Sequence, residues 1–134
     1  MKKLFLSILF TVGIISAGTP SAADNFSLND YNGKKISIDD YKDSKAIVLM
    51  FISTQCPVSN AYNERMVSLY NDYNNKNVTI LGINSNKAET PEDIKEHALE
   101  QNFGFPILKD VNNVIADKFQ ASHTPEVFVI HPTT

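Results

Sequence analysis

Ile47-Val48-Leu49-Met50-Phe51-Ile52 is an unbroken apolar run, and Ser53-Thr54-Gln55-Cys56-Pro57 follows it directly. Six consecutive hydrophobic residues leave no polar face, the pattern of a strand buried on both sides. Pro57 suits the first position of a helix, where its missing N–H would have had no intrahelical partner. The cysteine therefore stands where a buried strand hands over to a helix. A thiol at a helix N-terminus meets unpaired backbone N–H groups and the positive end of the helix dipole. Both favour the thiolate, the form that attacks peroxides and disulfides.

Cys56 is the single cysteine of the 134 residues, so the chain closes no internal disulfide. Many lone cysteines are small buried hydrophobes; the strand-end position and Pro57 favour a reactive one here. Ser53, one turn upstream, either hydrogen-bonds the thiolate or ends the strand.

Downstream, Val58, Tyr62, Met66, Leu69 and Tyr73 recur at three- and four-residue steps and predict one helix over 57–73 with a buried stripe. Asn74 to Asn77 is a polar turn, and Val78 to Ile83 reads as a second buried strand. Thr90, Pro91 and Asp93 are the cap, first position and capping partner of another helix, and Gly104 fits its stop. Glu89, Glu92, Asp93 and Glu96 read as a solvated face at that helix's start. A short extended piece over 105–108, a short helix marked by Val111, Val114, Ile115 and Phe119, and an apolar strand at Val127 to Ile130 complete the series. Upstream, Phe26-Ser27-Leu28 and Ile36-Ser37-Ile38 flank Asn32-Gly33, a hairpin signal. Strands alternating with helices predict an α/β layer with a parallel sheet at its centre.

The N-terminus sets the compartment. Lys2 and Lys3 precede an apolar stretch, Leu4 to Ala17, and small residues ending Ser21-Ala22-Ala23 follow. This is the three-part pattern of a secretory signal peptide over 1–23, leaving one domain over 24–134. The stretch is short for a membrane span and Gly13, Gly18 and Pro20 interrupt or end it, so no stable anchor is expected after cleavage. No cysteine follows to carry a lipid. The expected location is periplasmic or extracellular. Loss of Lys2 and Lys3 takes the net charge from −3 to −5, which argues against nucleic acid or anionic membrane as a partner.

Ser122-His123-Thr124-Pro125-Glu126 stands just before the last apolar strand, where a proline belongs at the first residue or in a turn. With the strand–cysteine–helix junction, this order resembles the thioredoxin-like fold, a central sheet flanked by helices. More specifically, the chain resembles the redoxin superfamily of alkyl hydroperoxide reductase and thiol-specific antioxidant type, in its exported peroxiredoxin-like branch. The matching residues are Phe51 to Pro57 with Tyr62 and Arg65, then Ile80 to Asn86, Gly104 to Asp110, and Thr124 to Ile130. The resemblance implies a cis Thr124-Pro125 bond facing the cysteine. It also implies that Thr124 and Pro125, with Pro57, border the substrate. The family's fold continues with another antiparallel strand and a closing helix, so the sequence reads as truncated after its third core strand.

The departures bear on mechanism. Ser59 holds the position where a thioredoxin-type dithiol has its second cysteine, and Leu49 stands where peroxiredoxins carry a proline. Arg65, the only arginine, lies about 13 Å of helical rise from Cys56 and is read as structural or substrate-edge. His123 reads as a solvent-facing loop residue, with a role in lowering the thiol pKa or in metal binding as the less favoured readings; His97 has no evident partner. The reading that follows is a single-cysteine redoxin with catalytic Cys56, assisted by Ser53. Its thiolate reduces a peroxide through a sulfenic acid, which an external thiol reductant resolves. The alternatives are a monothiol disulfide oxidoreductase acting on extracytoplasmic protein thiols and a non-catalytic binding module. No metal and no cofactor, nucleotide or flavin, is called for.

Overall fold

Every side chain of β3 (Ala46–Phe51) except Ala46 is buried, as its two apolar faces require. The computed structural model describes residues 25–132; the predicted signal peptide lies outside them. The other strands are β1 (Ser27–Asp30), β2 (Lys35–Ser37), β4 (Val78–Asn84), β5 (Ile107–Lys109) and β6 (Glu126–Ile130). The helices are α1 (Pro57–Asn60), α2 (Asn63–Tyr73), α3 (Pro91–Glu100) and α4 (Val114–Phe119).

Among the described residues these strands form one sheet in the order β2-β1-β5-β4-β3-β6. Its centre is parallel as expected: Val48 pairs with Ile80 and Gly82 with Ile107. β6 runs antiparallel to β3, with Met50 opposite Val127, and β1 is antiparallel to both β2 and β5. Helices cover both faces, giving the α/β class read from the sequence.

The pleat of β3 sorts its residues into two cores. Ile47, Leu49 and Phe51 join Leu81, Ile83 and Ile115 on the face under α4. Val48, Met50 and Ile52 join Met66, Ile94 and Phe105 under α2 and α3. Each fully buried aliphatic or aromatic side chain contributes about 1.5–3 kcal/mol relative to exposure. That is why the C-terminal ends of β3 and β4 form a rigid platform for the loops above them.

The expected single helix over 57–73 is two helices. The Tyr62 N–H bonds the Ser59 carbonyl in a tight turn, and Tyr62 itself has φ −104° and ψ 0°. Asn60 donates to the Thr54 carbonyl at 2.9 Å and Asn63 is buried toward Asn60 and His97, so polar contacts bend the first turn away from one straight ladder. The predicted stripe is correspondingly incomplete: Met66 is buried, whereas Val58 and Tyr62 are 59% and 42% exposed.

Helix α3 has its predicted capping box, Thr90 accepting from the Asp93 N–H and Asp93 from the Thr90 N–H. Its stop differs. Asn102, at φ 56°, takes the left-handed residue assigned to glycine. Gly104 is needed for space, because a Cβ there would lie 2.3 Å from the Tyr70 ring. Before α4, Asn112 and Asn113 are both left-handed and a 3-10 turn spans Val111–Asn113, with Val111 and Val114 exposed.

Candidate active site

Cys56 is the N-cap of α1, with extended backbone at φ −81° and ψ 115° and Pro57 next to it. Its side chain makes no cap hydrogen bond. The Thr124–Pro125 bond is cis, and the Cys56 thiol donates to the Thr124 carbonyl at 3.6 Å. Hydrogen bonding by Thr124 is the largest influence lowering the thiol pKa, followed by the Ser59 and Val58 N–H groups. Partial burial and the negative charge of Glu89 oppose them without prevailing. The sulfur is half-buried and free.

Ser53 does not reach the sulfur. Its hydroxyl donates to Glu89 Oε1 at 2.5 Å, and its N–H donates to Ser59 Oγ at 3.3 Å. Glu89, expected on a solvated face, is 1% exposed. It precedes the Thr90 cap, so it lies outside the helix and folds beneath the loop. There it also accepts from the Thr54 N–H at 2.9 Å, the Gln55 N–H at 3.0 Å, Asn84 at 2.5 Å and Asn86 at 2.8 Å. Burial pushes its carboxyl pKa up, but the donors from Ser53, Thr54, Asn84 and Gln55 outweigh burial and hold it below the ordinary range. Asn84, fully buried at the end of β4, ties this group to Lys109 Nζ, which donates to Asn84 Oδ1 at 3.0 Å.

Neither Asn84 nor Glu89 was singled out as a site residue from the sequence. The one local signal was the position of Glu89 ahead of a capped helix. Its contacts with residues 53–55 lie 34 to 36 positions away along the chain, beyond any periodicity argument.

Two recesses meet at His123 and Thr124, and Cys56 lines the first of them. A mixed one of about 340 Å3 is walled by Cys56, Ser53, Asn86 and Thr124 together with Phe51 and Ile83. An apolar one of about 410 Å3 is walled by Val58, Tyr62, Met66, Pro125 and Val127, with Arg65 at its edge. The Arg65 guanidinium lies over the Tyr62 ring, 5.2 Å from its centroid. His123 belongs to both walls but pairs outward: its ring is 3.5 Å from Glu126 and 3.0 Å from the Ser122 hydroxyl. His97 does have partners, Asn63 at 3.4 Å and the Phe103 ring, and burial lowers its pKa.

A model of the AhpC/TSA family matches residues 20–134. The chain belongs to the AhpC/TSA family. Within reach of this AhpC/TSA domain is the thiol-disulfide oxidoreductase ResA of Bacillus subtilis, 30% identical over 114 residues, 84% of this chain and 61% of that protein. The chain thus spans about three-fifths of the length of the curated relatives it matches. A solved structure of a Sinorhizobium meliloti protein, described as hypothetical, superposes with TM-score 0.79 at 31% identity, covering 85% of this chain and 65% of that one. A secreted disulfide oxidoreductase of Mycobacterium tuberculosis superposes with TM-score 0.70 at 20% identity, covering 80% of this chain and 76% of that one, which shows the shared fold. The fold is thioredoxin-like, as the order of motifs implied. Among the described residues, no helix is long and apolar enough to cross a membrane.

Proposed function

We propose that this domain is a monothiol thiol-disulfide oxidoreductase whose nucleophile is Cys56. This replaces peroxide reduction as the leading reading, because the curated relative quoted above is a thiol-disulfide oxidoreductase. The observation that carries it is the setting of the sulfur: a half-buried thiol at a helix start, with its pKa lowered by Thr124 and first-turn N–H groups. Backbone N–H groups aimed at developing negative charge stabilise the attacking thiolate and a departing one alike.

In the proposed reaction, the Cys56 thiolate attacks one sulfur of a substrate disulfide. A bond forms between Cys56 and that sulfur, the substrate S–S bond breaks, and the second sulfur leaves as a thiolate. An external thiolate then attacks the Cys56 sulfur of the mixed disulfide, expelling the substrate's other sulfur as a thiolate and leaving Cys56 bonded to the external thiol. A second external thiolate attacks that external sulfur, forming an external disulfide and releasing the Cys56 thiolate. Two external thiols, consumed in succession, supply the two electrons that reduce one substrate disulfide. Ser59 cannot resolve the intermediate, so the resolving sulfur comes from another molecule.

Thr124, Pro125 and Pro57 are the substrate-contacting residues of this reading; Thr124 meets the sulfur and Pro57 follows it in the chain. The substrate proposed for them is an extended protein segment, with its backbone beside Thr124 and an apolar side chain in the recess under Val58, Tyr62 and Val127. The place of action proposed is outside the cytoplasm, supported by the export pattern of residues 1–23. Intact-mass analysis after exposure to a peptide disulfide tests the reaction. The expected product is one peptide linked to Cys56 and released by a second thiol. Absence of an adduct under conditions that modify a free thiol would exclude this function.

A further inference from the structure

Glu89 is buried and accepts from five donors, yet none of them is Cys56. Three donors belong to the consecutive residues Ser53, Thr54 and Gln55, which join β3 to the cysteine. The other two, Asn84 and Asn86, stand at the end of β4 and just beyond it. Asn84 also donates to the Ile52 carbonyl at 3.4 Å, and Lys109 donates to Asn84 and to the Asn86 carbonyl. One carboxylate thus pins the loop that precedes the nucleophile to the rigid ends of β4 and β5.

We propose that Glu89 is a positioning residue for Cys56: it clamps residues 53–55 so that the first-turn N–H groups of α1 and the Thr124 hydroxyl converge on the sulfur. The proposal rests on the reading of Cys56 as the nucleophile. The geometry requires a carboxylate rather than a neutral amide. Ionised, Glu89 offers only acceptors to five donors. A glutamine would turn its own NH2 toward at least one N–H, leaving a buried donor facing a donor, which is costly.

Two roles for Glu89 predict opposite signs. As a nearby negative charge, it disfavours the thiolate, so removing it would make the thiolate form more readily. As a clamp, it favours the thiolate, so removing it makes the thiolate form less readily. The other charged groups around Cys56 are His123 and Glu126 at the approach to β6 and Arg65 on α2. Lys109 on β5, with Asp93 and His97 on α3, surrounds Glu89. All are retained in the variants below, so the sign reports on Glu89 and its donors.

The test is the rate at which Cys56 reacts with a dipyridyl disulfide across the pH range, for the full chain, Glu89→Gln and Asn86→Ala. In Glu89→Gln the midpoint of the profile moves to higher pH. The rate on its acid side falls roughly fivefold, the factor for losing about one hydrogen bond. Asn86→Ala removes one of the five donors to Glu89, along with the Asn86 contacts to the Ser53 hydroxyl and the Ala88 N–H, and shifts the midpoint the same way by less; it carries the test if Glu89→Gln does not fold. A midpoint moved to lower pH would mean that Glu89 acts as a charge alone. A lowered melting temperature with an unmoved profile would mean that it acts on stability alone. Either result overturns the proposal while leaving Cys56 as the nucleophile. A wild-type rate no faster than a free thiol overturns both.

Discussion

The Cys56 thiol donates to the Thr124 carbonyl at 3.6 Å, bringing together residues 68 positions apart at the N-cap of α1 and the cis bond entering β6. The sulfur is thereby held between a helix start and a fixed backbone edge. The hydroxyl of Thr124 adds the largest influence lowering the thiol pKa.

Thr124→Val keeps the shape of the side chain and removes that hydroxyl. The thiol pKa rises, so thiolate absorbance appears at higher pH than in the wild type. On the acid side of the profile, disulfide exchange slows by roughly fivefold. An unmoved titration would show that the hydroxyl does not contact the thiolate.

Ser59 is 1% exposed and sits three residues after Cys56 in the first turn of α1. Ser59→Cys restores the dithiol spacing and supplies an internal resolving sulfur. Oxidation of this variant yields a chain lighter by two hydrogens, with no lasting mixed disulfide. Persistence of the mixed disulfide, as predicted for the wild type, would mean that the α1 turn does not bring the sulfurs together.

Most of the frame was legible in the sequence because it is local. The apolar run to Ile52, the Thr90-Pro91-Asp93 cap and the Asn32-Gly33 turn each carry their own signal within a few residues. Two of the misreadings come from contacts distant in the chain. Nothing near Gly104 announces the Tyr70 ring, and nothing near Glu89 announces the loop at 53–55. Val58 and Tyr62 have helical spacing, but the bend at Tyr62 turns them toward the recess beside Pro125. The spacing of apolar residues cannot distinguish a core stripe from the lining of an open groove.

Gly104→Ala destabilises the domain by about 1–3 kcal/mol, the range for forcing a methyl into a packed site. The inserted Cβ meets the Tyr70 ring at 2.3 Å, and Tyr70 in turn packs against Phe105 at 5.9 Å. Thermal unfolding measures the loss. Equal stability would mean that Tyr70 moves aside freely, and Gly104→Ala with Tyr70→Ala would then show no recovery.

Glu89 also fixes the acid limit of stability. Its folded pKa lies below the ordinary value of 4.5, so its contribution is complete above that value. As pH falls, the contribution is lost through the unfolded pKa and down to the folded one. Denaturant midpoints of the wild type and Glu89→Gln should therefore differ by a constant amount at neutral pH and converge under acid. A gap that stays constant down to strongly acid pH would contradict an ionised, hydrogen-bonded Glu89.

The most direct measurement pairs two rate constants on one sample, Cys56 with a small disulfide and Cys56 with hydrogen peroxide, using Cys56→Ser as the blank. The account predicts a disulfide rate well above that of a free thiol at the same pH, and a larger enhancement for the disulfide than for the peroxide. A free-thiol-like disulfide rate beside a strongly enhanced peroxide rate would contradict it and restore peroxide reduction as the activity of the domain.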